Sequence, residues 1–500
     1  MGFWGPHGHD GIWHLGLIET IKNGLPAENP AFAGERLINY HFFYDLLLAQ
    51  VSNLTNLEAI DLYFRFFPVL ITFTLGGVVF ILAKRWFDSN IAAFFSVFFI
   101  YFGGSFGWIL SYFKNRTLGG ETAFWAQQSI STLINPPFAI SILTFLAGLY
   151  LFHKITRQKS QIPTLIIPLV ILWGTLIEYK AYAGILVLGA LAVVSVAEIF
   201  KRNFAFLVIP IGVGVLSLLV FLPNNSGSTS LLVFSPFWLI HSMIDSPDRV
   251  GWFRLQLARM AGIETGNWFK FFSAEAAGLI IFIGGNLGTR IVGILSLKSL
   301  WPVTKFNLFI LCFLFLSLSL PLVFIQKGAG FNTIQFFYYF LILGNFFAAA
   351  WLYYLVKRSK KVGVISAVSL IFLTLPTTWN SLGQYIPQRP PSRISGAELE
   401  ALEFLKLQPD GIVLNYFYDK NLKNRFSEPV PLFAYESTMY VAAFTGKKEY
   451  VADTVNLIIL DTDYKGRLQV QKDIFSFKEP EIVKKLLAEN DINYIYLPKL

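Results

Sequence analysis

Lys201-Arg202-Asn203 is followed by Phe204-Ala-Phe-Leu-Val-Ile-Pro-Ile-Gly-Val-Gly-Val-Leu-Ser-Leu-Leu-Val-Phe-Leu222, which carries no charge, and then by Pro223-Asn-Asn225. A helix needs about 20 apolar residues to cross a hydrocarbon core of roughly 30 Å. A run of that length with basic residues at one end has the form of a transmembrane span. The rest of the chain repeats the pattern. Of 500 residues, 54% are hydrophobic and only 14% charged, with 51 Phe, 21 Tyr and 12 Trp; soluble chains carry about a quarter charged residues. Mean hydropathy is +0.55. Disorder, a collagen-like repeat and a disulfide scaffold are excluded. The one cysteine, Cys312, lies in an apolar run and cannot pair within the chain. The net charge of +9 does not gather on a soluble face that could hold nucleic acid, because the basic residues punctuate apolar runs.

Working outward gives about ten spans. Phe66–Ala83, Ile91–Leu110, Phe204–Leu222, Phe306–Ile325 and Phe336–Val356 are the clearest. Phe138–Phe152, Pro163–Ile177, Ala181–Ala197, Ala276–Leu297 and Val362–Leu375 are shorter or interrupted. Arg290 falls inside one of them, and the cost of a charge at mid-membrane places it near an interface or facing protein. Lys84 and Arg85, then Lys154, Arg157 and Lys159, then Lys201 and Arg202, then Lys298 and Lys305, then Lys357, Arg358, Lys360 and Lys361 occupy alternate short loops. The positive-inside rule assigns these loops to the cytoplasm. Residues 1–61, 111–136, 223–275, 326–335 and the tail from Trp379 then lie outside.

The tail reads as a separate domain, since 16 of the 31 Asp and Glu residues fall in its last 105 residues. The organisation expected is an outer segment with interfacial helices (1–61), a helical bundle (62–378), a Pro-rich linker (379–395) and a small extracytoplasmic α/β domain (396–500). In that domain Ala397–Leu407 and Glu479–Glu489 read as helices. Gly411–Tyr416, Met439–Phe444 and Ile492–Leu497 read as strands. No signal peptide opens the chain. An outer N-terminal segment with no apolar run before it leads us to expect a further transmembrane helix upstream.

Chemistry is sought in that first segment, which holds His7, His9, His14 and His41 beside Asp10, Glu19, Glu28, Glu35 and Asp45. Asp10-Gly-Ile-Trp-His14 sets a carboxylate and an imidazole four residues apart, on similar sides of a helix over Gly11–Asn23. Asp10 also suits the N-cap of that helix, with Gly24 closing its C-terminus. One carboxylate oxygen can cap while the other faces a cleft. His7-Gly-His9-Asp10 lacks the spacing of a zinc hydrolase site. Leu37-Ile-Asn-Tyr-His-Phe-Phe-Tyr-Asp45 is aromatic and amphipathic, as a helix lying in the membrane interface would be.

With Asn332-Thr-Ile-Gln-Phe-Phe-Tyr-Tyr339 and the tail passages Tyr440–Tyr450 and Asp491–Leu497, this layout resembles the GT-C superfamily of membrane glycosyltransferases, in an uncharacterised prokaryotic form. The likeness covers most of the chain by arrangement rather than by one tight motif, and the helix that precedes the acidic loop in the superfamily is missing. The resemblance implies transfer of a hexosyl or pentosyl unit from a polyprenyl-phosphate carrier to a glycan, lipid or protein acceptor at the outer face of the plasma membrane. It implies a general base or metal-binding carboxylate at Asp10, with His14 beside it as a catalytic candidate. A second acidic position at Glu121 would join Asp10 in holding a divalent cation, Mg or Mn. Arg254, Arg259 and Lys327 are candidates for the donor phosphate, and Tyr40 and His41 for substrate contact. A transporter or flippase would need ionisable groups at mid-membrane and two related halves; Arg290 and Glu198 lie near span ends, and no halves are visible. A glycan polymerase or ligase, or a non-catalytic scaffold, shares the topology.

Overall fold

The computed structural model describes residues 2–157, 163–225, 232–327, 330–477 and 479–499; Lys159 lies outside them. The chain divides into two compact units: residues 1–69, 222–228 and 387–500 form one, and 70–221 with 229–386 form the other.

Among the described residues, eight helices are long and apolar enough to cross a membrane: Ala59–Phe87, Pro136–Arg157, Ala181–Phe200, Phe204–Asn224, Trp268–Leu300, Lys305–Val323, Gly330–Arg358 and Lys360–Tyr385. Asn90–Phe102 and Gly107–Asn115 form a pair bent by 40°, either a broken span or a re-entrant loop, and Thr164–Tyr179 is a shorter apolar helix. Each of the ten stretches expected from sequence overlaps one of these apolar segments, and eight of them, or nine with the bent pair, are long enough to span. The protein is a multi-pass membrane protein.

The second unit is built on aromatic packing. Trp173 stacks on Phe309 at 5.0 Å and Phe145 on Phe313 at 4.5 Å. Its broken span explains Arg290. Backbone opened within a membrane must find partners inside the protein. Arg290 is buried and donates through Nε to Leu287 O at 2.9 Å, and through Nη2 to Asn286 O at 2.7 Å and Gly104 O at 3.4 Å. It also donates to Gln128 Oε1, whose backbone N–H donates to Glu121 Oε1. The arginine faces protein, and it satisfies carbonyls that the helix breaks release.

The first unit joins both ends of the chain. Helix α1 (Asp10–Ile21) is buried on nearly all sides, and α2 (Phe43–Thr55) packs against it. The tail adds α3 (Gly396–Lys406), β1 (Ile412–Asn415), α4 (Tyr440–Thr445) and β2 (Lys448–Glu449). It ends with α5 (Thr454–Ile459), α6 (Lys465–Ser476), α7 (Pro480–Glu489) and β3 (Ile492–Tyr496). The three strands are parallel in the order β2-β1-β3, so each link must cross over, and helices supply the crossovers. Met439–Phe444, expected as a strand, is instead α4. It packs against α1 and ends at Gly446 in the left-handed conformation, φ 70°. A short apolar run does not by itself separate a strand from a buried helix turn.

Candidate active site

Asp10 does not cap α1. It is the first helical residue, His9 holds the cap position, and no side chain makes the cap hydrogen bond. Its carboxylate lies at the positive end of the helix dipole, which favours the ionised form. Gly24, at φ 122°, turns the chain after α1 and donates its N–H to Ile21 O at 3.0 Å.

The partner of Asp10 is His9. Nδ1 of His9 is 3.2 Å from Asp10 Oδ1, and Nε2 is 3.1 Å from Asp453 Oδ1. Both ring nitrogens can donate only in the imidazolium form. Burial alone would lower the pKa of His9, but hydrogen bonds to Asp10 and Asp453 and the charges of both raise it to about 11. Side-chain exposure is 49% for Asp10, 12% for His9 and 0% for Asp453. The cation therefore joins an accessible carboxylate to a buried one. Asp453 is fixed in turn, with left-handed backbone (φ 45°), and its side chain caps α5 by accepting from Asn456 N at 3.1 Å. Glu436 completes the cluster; burial, then Asp10 and Asp453, push its carboxyl up, while His9 and Lys423 oppose them.

His14 does not join Asp10. It is buried one turn along α1, with Nδ1 at 2.8 Å from Asp45 Oδ1 and its ring stacked on Tyr63 at 5.6 Å. The ring of Tyr40 packs 5.5 Å from Trp13 and 4.8 Å from His41. Burial, then the charges of Asp45 and Asp10, hold the Tyr40 phenol far above its ordinary value, so it remains a donor. Thus Asp10, His14, Tyr40 and His41 share the first unit.

Glu121, Arg254, Arg259 and Lys327 belong to the other unit. Glu121 is buried, and its oxygens accept from Gln128 N at 2.6 Å, Ser131 Oγ at 2.7 Å and Ser381 Oγ at 2.7 Å. Arg259 is paired with Asp245 at 2.9 Å. Arg254 is exposed on the helix Phe253–Glu264, and Lys327 is exposed in a bend.

Asp10 and Glu121, the pair expected to hold a divalent cation, fall in different units. Three donors occupy the oxygens of Glu121, and an imidazolium borders Asp10. Among the described residues no group of three or more His, Cys, Asp or Glu is spaced to hold a metal ion.

The sequence reading missed Asp453 and Glu436. Asp453 reaches His9 across 444 residues, a separation with no local signal; only the cluster of four histidines marked one side of the pairing.

No protein-family model matches this sequence, and no curated protein does. Solved structures do match. The Archaeoglobus fulgidus oligosaccharyltransferase in complex with Zn and sulfate aligns over 98% of this chain and 64% of its own, at 12% identity and a TM-score of 0.50. The fold is similar to that of an archaeal oligosaccharyltransferase. The archaeal oligosaccharyltransferase AglB from Archaeoglobus fulgidus, in complex with an inhibitory peptide and a dolichol-phosphate, aligns over 99% of this chain and 65% of its own, at 11% identity and a TM-score of 0.48. This chain spans just under two thirds of the length of either. At such identity the likeness concerns the fold alone.

Proposed function

We propose that this protein is a membrane glycosyltransferase of GT-C type, moving a sugar from a polyprenyl-phosphate donor to an acceptor hydroxyl at the extracytoplasmic face, with Asp10 as general base. The observation that carries the reading is the half-exposed Asp10 carboxylate, anchored through the His9 imidazolium to the buried Asp453. An acceptor proton passes to Asp10 as the new bond forms at the anomeric carbon. The bond from that carbon to the phosphate oxygen breaks on the opposite side, and the carrier phosphate leaves as an anion. The imidazolium holds Asp10 in position, while the His14–Asp45 pair ties α1 to α2. Positioned general bases contribute roughly 10²–10⁴-fold.

The second unit offers an apolar groove of about 390 Å³, lined by Phe106, Ile109, Leu110, Phe113, Ile280 and Ile281 among others. A wall of hydrocarbon side chains in a membrane protein suits an aliphatic carrier tail. Arg254 and Lys327 are the exposed cations we assign to the carrier phosphate, with Arg259 set in place by Asp245. A divalent cation would neutralise the departing phosphate.

The test is turnover of a polyprenyl-phosphate sugar by the chain in lipid nanodiscs, comparing wild type with Asp10→Asn. Turnover is expected to fall by at least about 100-fold at unchanged thermal stability. Undiminished turnover in the variant would remove Asp10 from the chemistry. Movement of intact donor across the bilayer without sugar transfer would favour a flippase.

A further inference from the structure

In the second unit, the helix Phe253–Glu264 and the first turns of the span Trp268–Leu300 form a hairpin. Gly266, at φ 64°, turns the chain between them, and Asn267 caps the span by accepting from Lys270 N at 3.0 Å. Gly262 lets the two helices meet, since a Cβ there would lie 2.7 Å from Phe271 N. The hairpin turns its ion-paired side chains toward the helix Trp238–Asp245: Arg259 meets Asp245 at 2.9 Å, and Glu275 meets His241 at 2.8 Å. Away from these pairs its surface is apolar. Phe253, Leu257 and Met260 share one side of the first helix, and Phe269, Phe272 and Ala276 share one side of the second. All six are exposed, Phe269 to 84%.

We propose that this hairpin is an interfacial element whose apolar face rests in the phospholipid leaflet around the span. Length is the first reason. The span has 33 residues, about 50 Å at 1.5 Å per residue, whereas a hydrocarbon core is about 30 Å thick. Residues 276–297 can fill that core, for their one charge, Arg290, is buried among carbonyls. Residues 268–275 then continue about 12 Å further, through a headgroup layer roughly 5–8 Å deep, and the helix Phe253–Glu264 runs back along them. Continuity is the second reason. Phe269, Phe272, Ala276 and Ile280 make one uncharged stripe that passes from those turns into the core, where Ile280 is 70% exposed. A soluble partner could cover only the part beyond the core, whereas lipid covers the whole stripe. Trp252 and Trp268 are exposed on the hairpin and suit the interface, where indole rings gather. Arg254 and Lys270, also exposed, have stems long enough to carry their charges to lipid phosphates. The inference stands apart from the glycosyltransferase reading and needs only the spans.

The experiment places a nitrobenzoxadiazole fluorophore on single cysteines of the whole chain in phospholipid nanodiscs. Cys312→Ser removes the one native thiol. Leu257→Cys and Phe269→Cys report on the two helices of the hairpin, and both positions are exposed, so folding is at little risk. Lys484→Cys, on α7 with a side chain 70% exposed, serves as the reference in water. Seating about 5–10 Å into the headgroup–acyl boundary predicts blue-shifted emission at 257 and 269, with quenching by phospholipid spin-labelled near the headgroup at least about twofold stronger than at 484. A probe at either position as wet as the one at 484, in a chain whose melting temperature is unchanged, would overturn the proposal and leave the face for a soluble partner. Sugar transfer does not enter the readout, so its failure leaves this result untouched.

Discussion

Replacing His9 with alanine tests the bridge on which the site is built. Asp453 has no exposed side-chain surface and would lose its cationic partner. Removing one member of a buried ion pair costs about 3–5 kcal/mol. The lower end applies here, because Asn456 still donates to Asp453 through its backbone N–H and its Nδ2. About 3 kcal/mol lowers the melting temperature of a unit of this size by roughly 6–12 °C. Asparagine at 453 is neutral, tolerates left-handed backbone and still caps a helix. The double variant His9→Ala with Asp453→Asn is therefore expected to cost only about 1 kcal/mol, a coupling that a double-mutant cycle reads directly. The pH dependence has a fixed sign. The folded pKa of His9, about 11, lies above its ordinary 6.5, so its stabilisation is whole below about pH 6.5, declines as pH climbs, and is gone above about 11. Thermal unfolding followed by intrinsic fluorescence at pH 6, 8 and 10 should show the gap between wild type and His9→Ala closing as pH rises. A gap that widens with pH, or equal melting temperatures for the single and double variants, would refute the bridge.

Two further outcomes follow from buried groups. Burial raises the Glu449 carboxyl from 4.5 to about 8 against the hydrogen bonds from Ala442 N and Asn415 Nδ2, so folding holds a proton there and stability falls as pH rises from 4.5 through 8, by a few kcal/mol in all. Glu449→Gln should flatten that slope in melting curves taken at pH 5 and 8.5, and parallel slopes in the two proteins would count against it. Gly288 has φ 54°, and a Cβ there would collide with the carbonyl of Gly104. Gly288→Ala is expected to cost more than about 3 kcal/mol, and a variant melting within 2 °C of wild type would show that the helix break can relax.

What could be read from sequence followed the solvent. A bilayer imposes its thickness on every span, so Phe204–Leu222 and most of its counterparts announced themselves through length and flanking charge. In the tail, Gly396–Lys406 and Pro480–Glu489 carried helical patterning to within a residue of their observed ends. Met439–Phe444 did not, because only the tertiary surroundings decide whether six apolar residues extend or coil. Asp10 was legible as an acid placed at the start of a helix. Its second role as a cap was not realised, because the backbone of His9 takes that position and turns its imidazole to the two carboxylates. Asp453 was invisible, since nothing near it in the chain reports a pairing with residue 9.

The Arg290–Glu121 network of the second unit and the His9 and His14 pairs of the first meet buried charge differently. In the second unit Arg290 and Glu121 are surrounded by neutral dipoles: carbonyls, an amide and two serine hydroxyls. Neutral groups of that kind neither give up nor take a proton near neutral pH, so this network serves to hold a broken helix together through hydrogen bonds. In the first unit the buried carboxylates Asp45 and Asp453 each meet an imidazole, the side chain whose charge responds to its surroundings at ordinary pH. Only one of these pairs extends to a third carboxylate with open surface. The His14 pair is sealed under aromatic rings, whereas the His9 pair ends at Asp10, half exposed. A proton arriving from outside the fold thus meets a carboxylate whose charge is held by a cation and whose position is held by a second, inaccessible carboxylate.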